Sequence, residues 1–379
     1  MWSFPPTRGT TKSSSMSAHA EARLSPSRIR LARERRGLTK VALAAELGVT
    51  ARVLQTYENE GAPGARADDL AVALEVTPRF FHLPDRDAIT PEQGFFRALR
   101  RASAAQLGRA RAAAGIGFEI YEWVTARYEL PELVLPDVDA ATPELAAATV
   151  RAVWGRGDER LPNLVQLSEA HGVRVMSLPS DAEAVDAFSV WHAGLPYVFL
   201  SRSKSPERSR FDLAHELGHL VMHSGARAGV EVEREADQFA AALLMPRDGL
   251  SARAGREPAV PEILRLRSHY RVSAMAMTRR LHAIGKLTEW SYRQNCVQLS
   301  RQGFRVGEPD GIEPERSRVF ATVFAALRDQ GVTAQDVAAE LGITARELHL
   351  MTLGHAPAPI EGGAERTERP SGAHLRLVR

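Results

Sequence analysis

The chain has 379 residues, 44% of them apolar and 25% charged, which excludes a mostly disordered or fibrous polypeptide and allows two or three ordinary domains. No stretch approaches the roughly 18–20 uninterrupted apolar residues of a membrane helix, and Met1 to Ser15 lack the apolar block of a secretory signal, so a cytoplasmic chain with no membrane partner is expected. The single cysteine, Cys296, excludes an internal disulfide and an all-thiolate metal site, and a net charge of +3 selects no class of partner.

In chain order, residues 1–24 are rich in Ser, Thr and Pro without periodicity and read as a disordered tail, with Met16 as a second candidate start. Short helices separated by Gly and Pro signals are expected from Ser27 to about Phe81, and a further helical stretch from about Pro91 to Tyr128. Pro131, Pro136 and Pro143 punctuate a linker. Val173–Leu178, Ala187–Trp191 and Tyr197–Leu200 are β-branched or aromatic runs of strand length, and His192-Ala193-Gly194 lies where a hairpin would turn. Ser205-Pro206 reads as an N-cap with proline at the first helical position, opening a helix to about Met222. A second helix is expected from Glu231 to Met245, stopped by Pro246. Ile263–Tyr270, Ser273–Ala283 and Val319–Leu353 are helical again, and the Pro-, Gly- and Arg-rich residues 355–379 read as a second disordered tail. The fold class expected is α+β, mainly helical.

Charge is informative locally. Seven Arg or Lys against one acid lie between Arg23 and Lys40, a footprint suited to nucleic acid or to a solvated helix face. Within this part, Ile29, Leu31 and Ala32 supply the apolar positions of a first helix. Val41, Leu43, Ala44 and Leu47 are the expected buried stripe of a second. Gly48 allows a sharp turn, and Thr50 caps a third helix with Val53, Leu54 and Tyr57 expected inward. A short second helix and a tight turn hold the third so that its outer side can enter a major groove. The nine residues Ala44–Arg52 recur as Ala338–Arg346 with eight identities, by duplication or by convergence on one geometry; 263–283 and 319–353 could each form a helix–turn–helix, but a packed helical scaffold or dimerisation unit is the favoured reading.

His215-Glu216-Leu217-Gly218-His219 is an H-E-x-x-H motif. On a helix its histidines share one face a turn apart and can share a metal, while Glu216 can reach an attacking water. The following helix carries Glu233 and Asp237 at i and i+4, with the small Ala236 and Ala240 extending that face. Helical phase favours Glu233 as third ligand over Glu231 and Glu235, and Asp237 is placed to accept a hydrogen bond from a ligand imidazole. Three protein ligands leave a fourth position open, as in catalytic zinc sites.

Two resemblances follow from these residues. Residues 25–83, including the closing AVALEVTPRFF of Ala71–Phe81, resemble the XRE (Cro-type repressor) family. That resemblance implies a DNA face of Lys40, Ala51, Arg52, Gln55 and Thr56, with Arg52 suited to guanine and Lys40 to phosphate, and a structural pair of Arg33 with Glu58. The family usually carries Gln near the position of Lys40. The stretch from Ser189 to His223, followed by EREADQFAAALLMP from Glu233 to Pro246, resembles the ImmA/IrrE metallo-endopeptidase family. FFRALRR, Phe95–Arg101, and VSAMAMTRRL, Val272–Leu281, resemble the connecting and following segments of fused members. This resemblance implies a zincin-like domain with His215, His219 and Glu233 as Zn2+ ligands (Mn2+ the alternative) and Glu216 as catalytic base. His223 and Tyr197 are then candidate oxyanion donors.

The expected organisation is a helix–turn–helix domain at 25–84, a connector at 85–143, a peptidase domain at 144–250, helical regions at 251–300 and 301–354, and the two tails. The implied function is DNA-binding regulation joined to zinc-dependent cleavage of a protein partner, an XRE-type repressor by the resemblance, in a stress or mobile-element response. The alternative is a regulator or antitoxin whose peptidase-like domain senses a ligand or partner without cleavage. Double-stranded DNA, the protein substrate and a second copy of the chain are the candidate partners.

Overall fold

A computed structural model describes residues 23–86, 103–138, 142–178, 186–223 and 229–355. The two expected tails, apart from Arg23, Leu24 and His355, and the FFRALRR segment lie outside the described residues. The chain divides into two compact units: residues 1–88 with 335–345, and residues 89–334 with 346–379. Among the described residues no helix is long and apolar enough to cross a membrane.

The first unit is helical. Helix α1 (Pro26–Arg36) is capped by Ser25 Oγ and ends at Gly37, whose φ of 65° places it in the left-handed region. Helix α2 (Lys40–Glu46) is capped by Thr39, and α3 (Ala51–Glu60) by Thr50. Gly48, at φ 64°, makes the turn between them. Helix α4 (Ala67–Leu74) and a 3-10 turn (Pro78–His82) complete a core of Leu24, Ile29, Leu43, Leu54, Leu70 and Phe80. Val41 and Val53, expected inside, are 69% and 37% exposed. Val41 precedes Leu43 by two positions, about 200° around the helix, and Val53 lies about 100° from the buried Leu54. Residues 335–345 also belong to this unit: the Thr77 N–H donates to the Gly342 carbonyl at 2.9 Å. A Cβ on Gly342 would lie 2.6 Å from Phe80 Cα, so only glycine allows this approach.

The second unit contains a long helix α5 (Ala104–Thr125), then α6 (Pro143–Val153) and α7 (Leu164–Ala170). Strands β1 (Arg174–Ser177), β2 (Ala187–His192) and β3 (Leu195–Leu200) form one sheet in the order β1-β3-β2. β1 runs parallel and β2 antiparallel to β3. The hairpin turn is Ala193-Gly194, with φ of 49° and 76°. Alternation along the strands sends Met176, Phe188, Tyr197 and Phe199 to the α5 side, where Gly117 leaves room for Met176 and Phe199. Their neighbours Val175, Ser189 and Val198 face the other way, toward α8 (Pro206–Met222) and α9 (Val230–Leu244).

After Pro246 come α10 (Arg247–Arg253), α11 (Val260–Tyr270), α12 (Ala274–Ala283) and α13 (Glu289–Arg301). Ile263, Leu266, Met277 and Leu281 enter the same apolar core as Leu217 and Leu243, so α11 and α12 are part of the framework around α8 and α9. Helix α14 (Arg318–Asp329) starts against α7, where the buried Glu169 accepts from Ser317 Oγ and the N–H groups of Arg318 (2.7 Å) and Val319 (3.2 Å). Helices α15 (Ala334–Leu341) and α16 (Ala345–Met351) follow one another in sequence, with Gly342 at φ 70° between them. Leu350 and Leu353 backbone groups both engage Ser177 Oγ at the end of β1.

Candidate functional site

Helix α8 forms because Ser205 Oγ accepts the Arg208 N–H, Pro206 occupies the first turn, and Leu213, Ala214, Leu217 and Leu220 give it a buried stripe. Helix α9 buries Ala236, Phe239, Ala240 and Leu243 completely. The two helices meet closely at Gly218, where a Cβ would lie 2.9 Å from the Phe239 ring. This contact brings the two chemistry-bearing faces together.

In the cleft, His215 Nε2 and His219 Nε2 lie 3.1 Å apart. Glu233 Oε2 is 3.4 Å from His215 Nε2, and Glu233 Oε1 is 3.7 Å from His219 Nε2. These are the three residues, among those described, whose donor atoms gather as a metal-type cluster. Tetrahedral zinc with bonds of about 2.0–2.1 Å requires donors about 3.3 Å apart. The three distances, the two to Glu233 measured to its two different oxygens, lie around that value, and two imidazoles with one carboxylate are a donor set zinc accepts.

Both histidines are held from behind. His215 Nδ1 is 3.0 Å from Asp237 Oδ1. His219 Nδ1 is 3.0 Å from His223 Nδ1, and His223 Nε2 is 3.1 Å from Glu235 Oε2. Glu216 is buried at 4% exposure and points to β2, where Ser189 Oγ donates to its Oε2 at 2.7 Å. Glu231 pairs with Arg234 on the exposed side of α9. Of the three carboxylates weighed from helical phase, Glu233 is therefore the one brought to the histidines.

The electrostatics of the cleft favour positive charge. Burial opposes protonation of His215, yet its hydrogen bonds to Asp237 and Glu233 and the nearby Glu216 push it up to about 10. Burial pushes Glu233 up, but hydrogen bonds from His215 and His219 hold it well below the usual carboxylate range. Burial holds His223 below the ordinary imidazole range. The same acids that favour a charged His215 are ones that would favour a bound cation.

The candidate oxyanion donors separate. His223, 2% exposed, is engaged on both ring nitrogens, by His219 and Glu235, so it supports His219. Tyr197 faces the other side of the sheet, meeting Phe118 and Tyr121 edge-on and lying parallel to Phe199. The strand alternation that aims Ser189 at Glu216 aims Tyr197 away from it. Ser189 and the backing role of Glu235 escaped the sequence reading. The i and i+4 spacing of His219 and His223 was a usable signal for that pair, whereas nothing local marked Ser189.

On the first unit, Ala51 and Arg52 are exposed at the start of α3, and Gln55 and Thr56 are half-buried. Thr56 Oγ donates to the Arg52 carbonyl within the helix. Lys40 does not stand free: its Nζ donates to Gln55 Oε1 and lies 3.4 Å from Glu58. Glu58 also receives both Arg33 Nε and Nη2, so the expected Arg33–Glu58 pair is present, and Lys40 adds to it.

Two family models match the chain. The helix-turn-helix model matches residues 29–81. A peptidase-family model described as the IrrE N-terminal-like domain matches residues 168–282, which span the sheet, α8, α9 and the helices to α12. The comparison with curated proteins produced no match.

Proposed function

Because the chain joins an XRE-type helix-turn-helix domain to an IrrE/ImmA-like peptidase domain, we propose that it is a DNA-binding regulator that cuts a protein partner with a zinc-dependent endopeptidase centre. The observation that carries this reading is the convergence of His215, His219 and Glu233 beside a buried Glu216 that is hydrogen-bonded but not part of the cluster. His215, His219 and Glu233 would hold the ion, with Mn2+ as the alternative. Zinc in that position supplies Lewis acidity toward a peptide carbonyl and a water molecule.

The protein's own residues do the rest. Asp237 accepts the Nδ1 proton of His215, which directs the Nε2 lone pair into the cleft. His219 donates its Nδ1 proton to His223 Nδ1, and His223 Nε2–H donates to Glu235, fixing His219 in the same sense. Glu216, oriented by Ser189, takes a proton from the attacking water and hands it to the leaving amine. No oxyanion donor is assigned to Tyr197 or His223.

The substrate is a protein of repressor type, and the response is relief of repression under stress or on induction of a mobile element. Arg52, Ala51, Gln55 and Thr56 form the face toward DNA, with Arg52 reading a guanine and Lys40 ordering Gln55 beside it. Incubating the purified chain with zinc or manganese and candidate XRE-type repressors, and following discrete fragments, tests the reading. Failure to cut any candidate while DNA binding and regulation persist would instead favour a sensor without proteolysis.

A further inference from the structure

The side chain of Trp191 lies on the same face of the sheet as Ser189, the residue that holds Glu216. Two neighbours on β2 settle this. Ser189 Oγ donates to Glu216 Oε2 on the α8 side, and His192 stacks on Phe118 of α5, on the opposite side, with ring centroids 3.9 Å apart. Successive strand residues alternate, so Trp191, one position before His192 and two after Ser189, faces α8. The Ser189 and Trp191 Cα atoms are then about 7 Å apart along the strand. Helix α8 packs against β2, which is an edge strand of the sheet.

Trp191 is 36% exposed, whereas Ala187–Val190 before it are all buried. The chain turns at Ala193-Gly194 directly after β2, so the strand ends beside this indole. Two other tryptophans have structural partners: Trp154 stacks on His171 and donates to the Val134 carbonyl, and the Arg127 guanidinium lies over Trp123. Among the described residues no ring or cation is placed against Trp191. Its opposite number on β3 is the buried Pro196, on the same face. Neither strand of this hairpin carries an acid, so the surface offered is apolar and not one that selects a cation.

An indole left partly in water gains free energy when an apolar side chain covers it. Consecutive Cα atoms of a bound peptide are about 3.8 Å apart. A peptide whose backbone lies at Glu216 therefore brings the side chain one or two positions away to Trp191. We propose that Trp191 is a specificity-determining residue, whose indole receives a large apolar side chain of a peptide bound beside Glu216. That the peptide is then cut rests on the peptidase reading; the contact itself is a binding property and is tested as one.

The test uses the full-length, zinc-loaded protein and short peptides that differ only in carrying Leu, Phe, Ala, Lys or Asp at one position, with every position varied in turn. Binding is followed by fluorescence anisotropy of the labelled peptides on Glu216→Gln, alone and combined with Trp191→Ala, Trp191→Gln or Trp191→Phe. Cleavage of the same peptides by chains that keep Glu216 is followed by mass spectrometry. One position should favour Leu or Phe over Ala by about tenfold or more in affinity, and in kcat/KM as well. Trp191→Ala and Trp191→Gln should bring that ratio close to one, and Trp191→Phe should keep most of it, with metal content alike in all. Trp191→Gln retains bulk at the position, so a folding defect confined to Trp191→Ala does not decide the outcome. An apolar preference that survives in the folded Ala or Gln variant, a preference for Lys, or no peptide bound at all would overturn the proposal. A preference in binding that depends on Trp191, with no cleavage by the chain that keeps Glu216, would uphold it and sink the peptidase reading instead.

Discussion

The cleft between α8 and α9 and the outer side of α3 are both helical faces on compact units, and they are built on opposite terms. In the cleft both motif histidines and Glu216 have partners behind them: Asp237 behind His215, His223 and Glu235 behind His219, Ser189 behind Glu216. At the face expected toward DNA, Ala51 and Arg52 are exposed at the start of α3, while Gln55 is tied to Lys40 of α2 and to Asn59. The buried acids differ likewise. Glu58 in the first unit is met by Arg33, Lys40 and Arg30, whereas Glu169 in the second unit is shielded mainly by neutral donors at the start of α14. A reactive centre demands fixed geometry, and a groove-reading face stays open until its partner supplies the contacts. Substitutions in the cleft should therefore propagate, and those on α3 should act locally.

The largest expected effect tests the cleft directly. Glu216→Gln keeps an acceptor for Ser189 Oγ but cannot take a proton, so cleavage should fall by about 10²–10⁴. Bound metal, counted after dialysis, and Tm should be unchanged. A parallel loss of metal would break the distinction between Glu216 and the three ligands.

Next is a pH effect on the framework. Burial pushes Glu169 up to about 7, against an ordinary 4.5, despite the donors around it. The folded chain thus keeps this proton longer than the unfolded chain does. Stability should be greatest below about pH 4.5 and fall by roughly 3 kcal/mol as pH rises to about 7, so far as this group is concerned. Other groups titrate in the same window, so the quantity to measure is the difference between wild type and Glu169→Gln in denaturant unfolding. Parallel pH profiles would show that Glu169 is ionised when folded.

The partners behind the histidines should cost less. Asp237→Ala or His223→Ala should lower metal affinity by about 10–100-fold in a chelator competition, with no ligand removed. Unchanged affinity in His223→Ala would show that His219 needs no support, and the contrast with α3 would weaken.

The smallest effect on the fold is expected at Arg52. Arg52→Ala should leave Tm unchanged while costing about 1–3 kcal/mol of discrimination at one base pair, read from selected oligonucleotides. A marked drop in Tm would mean that this face is constrained after all.

Much of this molecule was legible along the chain. The Ser205-Pro206 cap, the H-E-x-x-H spacing, the α9 phase and the Ala193-Gly194 turn are local features, and local sterics and periodicity determine them. The echoed segments behave the same way, since both form a helix, a left-handed glycine and a helix. Their surroundings were not legible: Gly48 has open space where Gly342 touches Phe80. Val41 and Val53 lie outside although apolar, Tyr197 turns away from the histidines, and Ser189 reaches Glu216 from 27 residues upstream. The sequence by itself determined which side chains share a face of one element. Only the tertiary structure decided which faces meet, because that depends on strand register and on close approaches such as Gly218 against Phe239, which join residues distant along the chain.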